Sequence, residues 1–190
     1  MAEFTVKPLS PETWDAYADL IERHNGIWGG CWCLQFHPKS SERGISLEGN
    51  RALKQRLVDE DRAHAAVVFD VDRAVGWCQY GLPEELPNIT HRQEYEEGLI
   101  EPVDFRLTCF FVDRDYRRAG VAAIALQGAL DLIAQAGGGL VEAFPYDVKK
   151  AVSGSFLYNG TRTMFENAGF EYQRPKGKNH CVMTTRIEPS

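Results

Sequence analysis

Three arginines and a glycine lie close together in the segment Asp113–Ala122, which reads Asp-Arg-Asp-Tyr-Arg-Arg-Ala-Gly-Val-Ala. An apolar run, Phe105–Val112, precedes this segment, and an alanine-rich run, Ala119–Ala136, follows it. These patterns predict a strand, a tight turn and a helix. The start of a helix presents unpaired backbone N–H groups and the positive end of the helix dipole, both of which attract phosphate. The segment therefore predicts a phosphate-binding turn.

The side chains of the turn support this interpretation. Arg114, Arg117 and Arg118 can add charge-assisted contacts to a phosphate group. Gly120 lets the backbone approach a ligand closely, and Ala122 keeps the first helical turn narrow. The Gly-Lys-Ser/Thr of a nucleoside-triphosphate loop and the Gly-x-Gly-x-x-Gly of a dinucleotide-binding turn do not occur in this segment.

The elements around the turn predict a mixed sheet of the α+β class, because strands come first, then strand–helix–strand, then a helix and a hairpin. The apolar runs His64–Phe69 and Ala74–Tyr80 predict a hairpin, and Pro11–His24 predicts a helix with Ser10 as its N-cap. Further helices are predicted at Leu47–Asp61 and Thr161–Ala168, and further strands at Phe4–Pro8, Leu140–Phe144, Phe170–Arg174 and Cys181–Ile187. We find no linker or repeat, and we expect one domain over residues 1–190.

Composition limits the classes of partner. Of the 190 residues, 44% are hydrophobic and 25% are charged, as in a globular protein, and the net charge of −6 disfavours nucleic acid as a partner. No apolar run reaches the roughly 20 residues that span a bilayer, and the N-terminus lacks the apolar core of a signal peptide. We therefore expect a cytoplasmic protein without a membrane partner. The odd number of cysteines, five, then predicts free thiols.

With these residues in place, the sequence resembles the GNAT superfamily of N-acetyltransferases. The family motif Gln/Arg-x-x-Gly-x-Gly/Ala is filled by Arg117, Gly120 and Ala122, and Met164–Phe170 is similar to the last family helix, which ends in Gly-Phe. The resemblance extends from about Val67 to Phe170. It implies a GNAT-like fold, with a mixed and mostly antiparallel sheet between helices, and acetyl-CoA as the co-substrate.

The resemblance also implies where acetyl-CoA would bind. The pyrophosphate would lie on the backbone amides of residues 117–122, and the pantetheine arm would pair with the end of the fourth strand. The thioester would lie in a gap between the fourth and fifth strands, with the amide of Val112 as donor to its oxygen. The cofactor-binding residues are then Phe111, Val112, Arg117, Arg118, Ala119, Gly120, Val121 and Ala122.

The sequence does not single out one residue as the general acid that protonates the leaving CoA thiolate. Many GNAT enzymes protonate the leaving thiolate with a tyrosine at the position that Phe165 occupies here. Tyr158 is our first substitute as general acid, followed by Tyr146 and Asp147. For each tyrosine taken singly, the favoured interpretation is a packed side chain with a hydrogen-bonded hydroxyl.

The acceptor amine must lose a proton before it attacks, because a free alkylamine has a pKa near ~10. Asp104 is our candidate base, since alternation along the fourth strand places it on one face with Arg106 and Thr108. Glu142, on the predicted fifth strand, is a second carboxylate, and both could instead be structural or surface groups. Water relays are a further alternative to a dedicated base.

The segment Gly29–His37 contains Cys31, Cys33 and His37, which at first suggests zinc. We predict no metal, because Cys-x-Cys is not the usual zinc spacing and no second close pair of ligands occurs. The resemblance implies that this region covers the acceptor, and aromatic walls suit apolar or cationic acceptors. We therefore expect Trp28, Trp32, Phe36 and Trp77 to line the acceptor pocket.

Together these inferences predict an acetyl-CoA-dependent N-acetyltransferase that acetylates a primary amine of a small molecule by direct attack in a ternary complex. Two alternatives remain. The chain could acetylate a protein or peptide, or it could be a non-catalytic acyl-CoA-binding module, which the missing tyrosine would favour. A homodimer is the candidate assembly.

Overall fold

The computed structural model describes residues 3–147 and 157–190. Its strands are β1 (Phe4–Pro8), β2 (His64–Asp70), β3 (Arg73–Gly81), β4 (Phe105–Val112), β5 (Gly139–Ala143), β6 (Glu171–Lys176) and β7 (His180–Ile187). Its α-helices are α1 (Trp14–Glu22), α2 (Leu47–Asp59), α3 (Arg92–Glu97), α4 (Val121–Gln135) and α5 (Arg162–Asn167), and a 3₁₀ turn spans Arg114–Tyr116. The predicted strands and helices are all present, with ends that differ by a few residues.

The strands form one seven-stranded sheet in the order β1-β2-β3-β4-β5-β7-β6. Neighbouring strands are antiparallel except β4 and β5, which are parallel and are joined through α4. The sheet is therefore mixed and mostly antiparallel, and the predicted fold class is confirmed. A parallel pair needs a crossover connection, which explains why α4 follows directly on the arginine-rich turn.

Alternation along the strands divides the core between the two faces of the sheet. On one face, Val67 and Trp77 pack with α1 and α2, and on the other face Val68 and Cys78 pack with α4. A smaller cluster contains Tyr95 of α3 and Phe144, which follows β5. The long segment between α1 and α2 contains neither helix nor strand, but many of its side chains are buried against α1 and α2.

One predicted helix start is wrong. The helix α1 begins at Trp14 rather than at Pro11, and Ser10 does not cap it. The hydroxyl of Thr13 accepts a hydrogen bond from the N–H of Ser10 at 2.9 Å and donates one to the carbonyl of Pro8 at 2.8 Å. These bonds fix residues 10–13 as a turn between β1 and α1. Within the described ranges, no helix is both long enough and apolar enough to cross a membrane.

Candidate functional site

The strands β4 and β5 are paired only at one end. Their pairing runs from Phe105 opposite Val141 to Leu107 opposite Ala143, whereas β4 continues beside β3 as far as Val112. A β-bulge interrupts the β3–β4 register between Cys78 and Tyr80, and a bulge of this kind bends the strand that contains it. The second half of β4 therefore borders a gap in the sheet.

Hydrogen bonds show which backbone groups face that gap. The N–H of Phe110 donates to the carbonyl of Tyr158 at 2.6 Å, and the N–H of Asp113 donates to the carbonyl of Val75 on β3 at 2.8 Å. Since successive N–H groups of a strand point to opposite sides, the N–H of Val112 points to the same side as that of Phe110, away from β3. Val112 therefore offers a backbone donor to the gap.

The arginine-rich turn leads from β4 into α4. The chain passes through the 3₁₀ turn Arg114–Tyr116 and reaches Gly120, which is the N-cap residue of α4 at φ +82°. Glycine adopts this left-handed conformation at little cost. Among the described residues other than its two chain neighbours, no heavy atom lies within 4 Å of the position that a Cβ would take. The first N–H groups of α4 have no acceptor within the helix, so they remain available to a ligand.

A buried carboxylate fixes the start of this turn. Asp113 accepts a hydrogen bond from the N–H of Asp115 at 3.1 Å, and its carboxylate lies 3.0 Å from Arg23, 3.2 Å from His24 and 3.5 Å from Arg73. Burial alone would raise the pKa of Asp113, but the hydrogen bonds from Asp115 and Arg23, together with the nearby imidazole of His24, outweigh it, so the pKa lies below its usual value. Asp113 therefore remains a carboxylate that ties the end of α1 to β4.

A cavity of about 790 Å³ joins the start of α4 to the gap beside β4. Seven of the eight predicted cofactor-binding residues line it, namely Phe111, Val112, Arg117, Arg118, Gly120, Val121 and Ala122. Ala119 does not line the cavity, although it lies between two residues that do. The cavity is also lined by Arg114, Ala123, His24 and Asn25, which our cofactor-binding set did not include.

The predicted aromatic pocket is largely wrong. Trp28 does line the cavity, has 42% of its surface exposed and packs edge-on against Phe111 and Tyr158. Trp32, Phe36 and Trp77 are instead buried in the core between the sheet and α1 and α2. The ring of Trp77 stacks on that of Phe111, with 5.1 Å between the ring centroids, on the side of Phe111 that faces the core. Trp77 therefore supports the cavity wall without lining it. The strong tendency of large aromatic side chains to be buried explains this outcome.

Tyr158 lies beside the gap, with its ring centroid 5.8 Å from that of Trp28 and 6.2 Å from that of Tyr146. Burial, together with the interaction and side-chain hydrogen bond with Tyr158, raises the pKa of Tyr146 to about 12. The two tyrosine side chains therefore lie next to each other near the end of β5. Asp147 is instead paired with Arg162 at 3.3 Å on the surface.

Asp104, the predicted base, lies at the wrong end of β4. It precedes the strand, and its carboxylate accepts a hydrogen bond from the N–H of Leu140 at 2.7 Å. At about 3.3 Å per residue, the eight residues of β4 place Asp104 roughly 25 Å from the arginine-rich turn. Asp104 therefore fastens the start of β5 and is not positioned to act on a ligand in the cavity.

Glu142 is a structural carboxylate. It is buried on β5, where it accepts hydrogen bonds from Arg106 at 2.7 Å and from the hydroxyl of Tyr95 at 3.0 Å. Phe165 is wholly buried and packs edge-on against Phe110 and Phe170. The position at which the resemblance would place a tyrosine is therefore part of the hydrophobic core.

His24 is the residue of this site that the sequence did not reveal. Its ring lines the cavity, lies 5.2 Å from the ring of Phe111 and has its Nε2 atom beside Asp113. The two residues are far apart in the sequence and meet only because α1 packs across β3 and β4. No motif in the sequence marks His24.

The five cysteines are all free, as predicted. Cys31 is partly exposed, whereas Cys33 is buried in the core with Cys109 of β4. Within residues 3–147 and 157–190, no three His, Cys, Asp or Glu side chains are grouped so that they could hold a metal ion.

The structure is similar to those of several acetyltransferases. An acetyltransferase of the GNAT family from Streptococcus pneumoniae aligns over 97% of this chain and 99% of its own, with a TM-score of 0.53 and 10% identity. Ribosomal-protein-S5-alanine acetyltransferase from Vibrio fischeri aligns over 98% and 94%, with a TM-score of 0.54 and 16% identity.

A third structure, RimL, a ribosomal L7/L12 α-N-protein acetyltransferase in complex with coenzyme A, aligns over 100% of this chain and 97% of its own, with a TM-score of 0.54 and 11% identity. No family model and no curated protein matches the sequence. The likeness is thus one of architecture, and it covers the whole sheet and its helices. The chain has the fold of the GNAT acetyltransferases.

Proposed function

We propose that this protein transfers the acetyl group of acetyl-CoA to a primary amine of a small molecule, by direct attack while both substrates are bound. One observation carries the proposal. A single cavity connects the open N-terminus of α4, which suits a pyrophosphate, with the gap between β4 and β5, towards which the backbone N–H of Val112 points.

The residues of the turn fit a diphosphate group. Helix α4 has fifteen residues and starts at the cavity, so its dipole and its first N–H groups favour an anion there. The side chains of Arg114, Arg117 and Arg118 line the same end of the cavity. The open space above Gly120 leaves room for a phosphate close to the backbone. We therefore assign the amides of residues 117–122 and these arginines to the pyrophosphate of CoA.

The gap beside β4 fits the pantetheine arm. An extended amide-containing chain can pair with the free edge of a strand in the manner of an added strand. Residues Phe111 and Val112 line this part of the cavity. The N–H of Phe110 is already bonded to Tyr158, so we assign the pairing and the donor to the thioester oxygen to the N–H of Val112.

Acetyl-CoA supplies an activated thioester. When the amine attacks its carbonyl carbon, negative charge develops on the oxygen, and the fixed N–H of Val112 stabilises that charge. The C–S bond then breaks, and the thiolate takes a proton from a nearby acid. We assign this role to Tyr158, whose ring lies beside the gap and packs edge-on against the ring of Tyr146.

The attacking amine needs a proton acceptor, and His24 is better placed than Asp104. Its imidazole lines the cavity, and its Nε2 atom lies 3.2 Å from the Asp113 carboxylate. A carboxylate partner holds an imidazole with the proton on the nitrogen that faces the carboxylate, which leaves the other nitrogen free to accept a proton. We propose that His24 acts as this base, directly or through one water.

A protein N-terminus is the second candidate acceptor. The observation that favours it is the activity of two structural neighbours, which are acetyltransferases of ribosomal proteins.

A third candidate is a module that binds acyl-CoA without transferring the acyl group. The burial of Phe165, at the position where the family has a tyrosine, favours this alternative.

The test has two stages. Calorimetry with acetyl-CoA first measures binding, and we expect a dissociation constant in the micromolar range, typical of an enzyme substrate. Release of free CoA thiol is then measured with a panel of small primary amines and with short peptides that begin with alanine. Turnover with peptides only would favour the protein acceptor. Binding without turnover for any acceptor would favour the module, and no binding at all would exclude the proposal.

A further inference from the structure

A second cavity lies between α2 and the segment that precedes it. It has a volume of about 160 Å³, and among the described residues none lines both this cavity and the one at the start of α4. Its polar lining consists of His37, Ser40 and four cationic side chains, those of Lys39, Arg43, Arg56 and Arg62. The other described residues that line it are apolar and none is acidic, although the chain has a net charge of −6. The lining therefore favours an anion.

Two of the cations, Lys39 and Arg43, take part in none of the ion pairs that the described residues form. The guanidinium of Arg43 is held by neutral groups, because it donates to the side-chain oxygen of Gln35 at 2.6 Å and to the carbonyl of the same residue at 3.3 Å. It keeps its full charge and has further N–H donors. The carboxylates that pair with the other two arginines, Glu42 and Glu60, do not line the cavity.

His37 adds a buried donor to this lining. The residue is only 3% exposed, and its Nε2 atom lies 3.1 Å from the Nζ atom of Lys54, which also donates to Gln79 at 2.9 Å. An ammonium group can only donate, so Nε2 accepts and the proton of the neutral imidazole lies on Nδ1. Nδ1 is buried and has no hydrogen-bond partner among the described residues; the carbonyl of Glu85 lies near the ring but outside hydrogen-bonding geometry. A buried donor of this kind needs an acceptor.

The end of α2 does not supply that acceptor. The carbonyl of Arg56 is paired with the N–H of Glu60 at 2.9 Å, and the carbonyl of Leu57 is paired with the N–H of Arg62 at 2.8 Å. The negative end of the α2 dipole also lies beside the cavity, but it amounts to roughly half a unit charge. The unpaired charges of Lys39 and Arg43 outweigh it, so the cavity still favours an anion.

A neighbouring cavity continues the basic surface. It has a volume of about 360 Å³, shares Lys39 and Arg43 with the first cavity, and adds Arg92. Its other described lining residues are uncharged, and most of them belong to residues 87–90. A ligand held by Lys39 and Arg43 therefore has room to extend from one cavity into the other.

We propose that the cavity lined by His37 and Arg43 binds a phosphate group, either as inorganic phosphate or as part of a small phosphomonoester. Phosphate offers several acceptor oxygens, and its charge of about −1.5 to −2 near pH 7 matches two unpaired cations. Arginine donors fit its oxygens in pairs, and the hydroxyl of Ser40 and the Nδ1–H of His37 complete the set. The organic part of a phosphomonoester would lie in the neighbouring cavity.

The bound group would join three parts of the chain. Ser40 and Arg43 belong to the segment between α1 and α2, Arg56 belongs to α2, and Arg62 precedes β2. Because phosphate would bind the folded chain and not the unfolded one, it should raise the midpoint of thermal unfolding. At a tenfold excess over the dissociation constant, we expect a rise of about 3–6 °C.

Calorimetry on the full-length chain, free of CoA, tests the proposal at pH 7 and constant ionic strength. Inorganic phosphate should bind with a dissociation constant of about 1 mM or less, whereas sodium chloride should give no binding signal. Ribose 5-phosphate distinguishes the two sources of the group. Binding at least tenfold tighter than that of phosphate would indicate a phosphomonoester, and equal or weaker binding would indicate inorganic phosphate.

Variants locate the bound phosphate. Arg43→Gln should weaken its binding at least tenfold, and Lys39→Gln, which changes an exposed residue, gives the same comparison if Arg43→Gln does not fold. Arg186→Gln is the matched control, because it removes an exposed arginine from β7, and it should leave the affinity unchanged. Gly120→Asp should also leave this binding in place, since it alters only the turn before α4.

The ring of His37 gives a readout at the site itself. In a ¹H–¹⁵N spectrum of the imidazole groups, the Nδ1–H signal that is missing from His37→Gln should shift when phosphate is added. Three results would overturn the proposal. These are the absence of phosphate binding, binding that survives in Arg43→Gln and Lys39→Gln but is lost in Gly120→Asp, and binding that leaves the His37 signal unmoved.

Discussion

The backbone N–H of Phe110 donates a hydrogen bond of 2.6 Å to the carbonyl oxygen of Tyr158. This bond crosses the gap that opens where β5 leaves β4, and it fixes the position of Tyr158 at the edge of the proposed thioester site. Because it uses the main chain of Tyr158, the position of this residue does not depend on its hydroxyl. The hydroxyl can therefore be removed without disturbing the gap.

The first prediction follows from that separation. Tyr158→Phe should keep the fold and the affinity for acetyl-CoA, while turnover falls by about 10²–10⁴-fold, the usual contribution of a general acid. Calorimetry and thiol release measure the two quantities. Tyr172→Phe is the matched control, because Tyr172 lies on β6 with 40% of its surface exposed. Full activity in Tyr158→Phe would assign the proton transfer to another group, with Tyr146, whose ring contacts that of Tyr158, as the next candidate.

The second prediction concerns the phosphate-binding turn. Gly120→Asp should weaken the binding of acetyl-CoA at least tenfold, a loss of about 1.4 kcal/mol or more, because it places a negative charge where the pyrophosphate would lie. The space around Gly120 accommodates a side chain, and the left-handed conformation should cost only about 1–2 kcal/mol of stability.

Two controls separate charge from strain. Gly120→Asn introduces a side chain of the same shape without the charge and should weaken binding less than Gly120→Asp. Gly137→Asp places the same residue at φ +109° just beyond the other end of α4, where a Cβ also meets no atom within 4 Å, and should leave binding unchanged. Equal affinity in Gly120→Asp and the unmodified chain would show that the cofactor lies elsewhere.

The third prediction contrasts two tryptophans. Trp77→Ala should destabilise the fold by about 3–5 kcal/mol, because the side chain is only 1% exposed and its loss leaves a cavity in the core. Trp28→Ala should cost far less stability, because 42% of that side chain is exposed, and should instead raise the KM for the acceptor. Urea unfolding and steady-state kinetics give the comparison. A larger loss of stability from Trp28→Ala than from Trp77→Ala would contradict the assignment of Trp28 to the cavity wall.

The fourth prediction is a dependence of stability on pH. Burial, and then the charge of Lys54, lower the pKa of His37 to about 2, so the imidazole stays neutral in the folded protein. Below about pH 6.5 the unfolded chain takes up a proton at this residue and the folded protein does not. The contribution of His37 to the free energy of unfolding should therefore fall by about 1.4 kcal/mol for each pH unit below 6.5.

Urea unfolding at pH 7.5 and pH 5.5 measures this effect. His37→Gln should reduce the loss of stability between the two pH values, whatever its effect at pH 7.5. His91→Gln replaces an exposed histidine and should leave the difference unchanged. The same pH dependence in all three proteins would show that His37 is protonated equally in the folded and unfolded states.

The sequence by itself determined the elements and the phosphate-binding turn. Alternation and apolar runs are local properties, so the strands, the helix α4 and the α+β class could be predicted from residues close together in the chain. The turn is local as well: Arg117, Gly120 and Ala122 lie within six residues, and the helix that they begin fixes the direction of their backbone N–H groups.

Only the tertiary structure decided which distant residues complete the site. Alternation placed Asp104 on β4 but could not show which end of the strand borders the gap, since that depends on where β5 leaves β4. Composition marked Trp28 and Trp77 alike, yet packing against α1 buried one and left the other at the cavity. His24 and Asp113 meet through long-range packing, and no local sequence pattern predicts that contact.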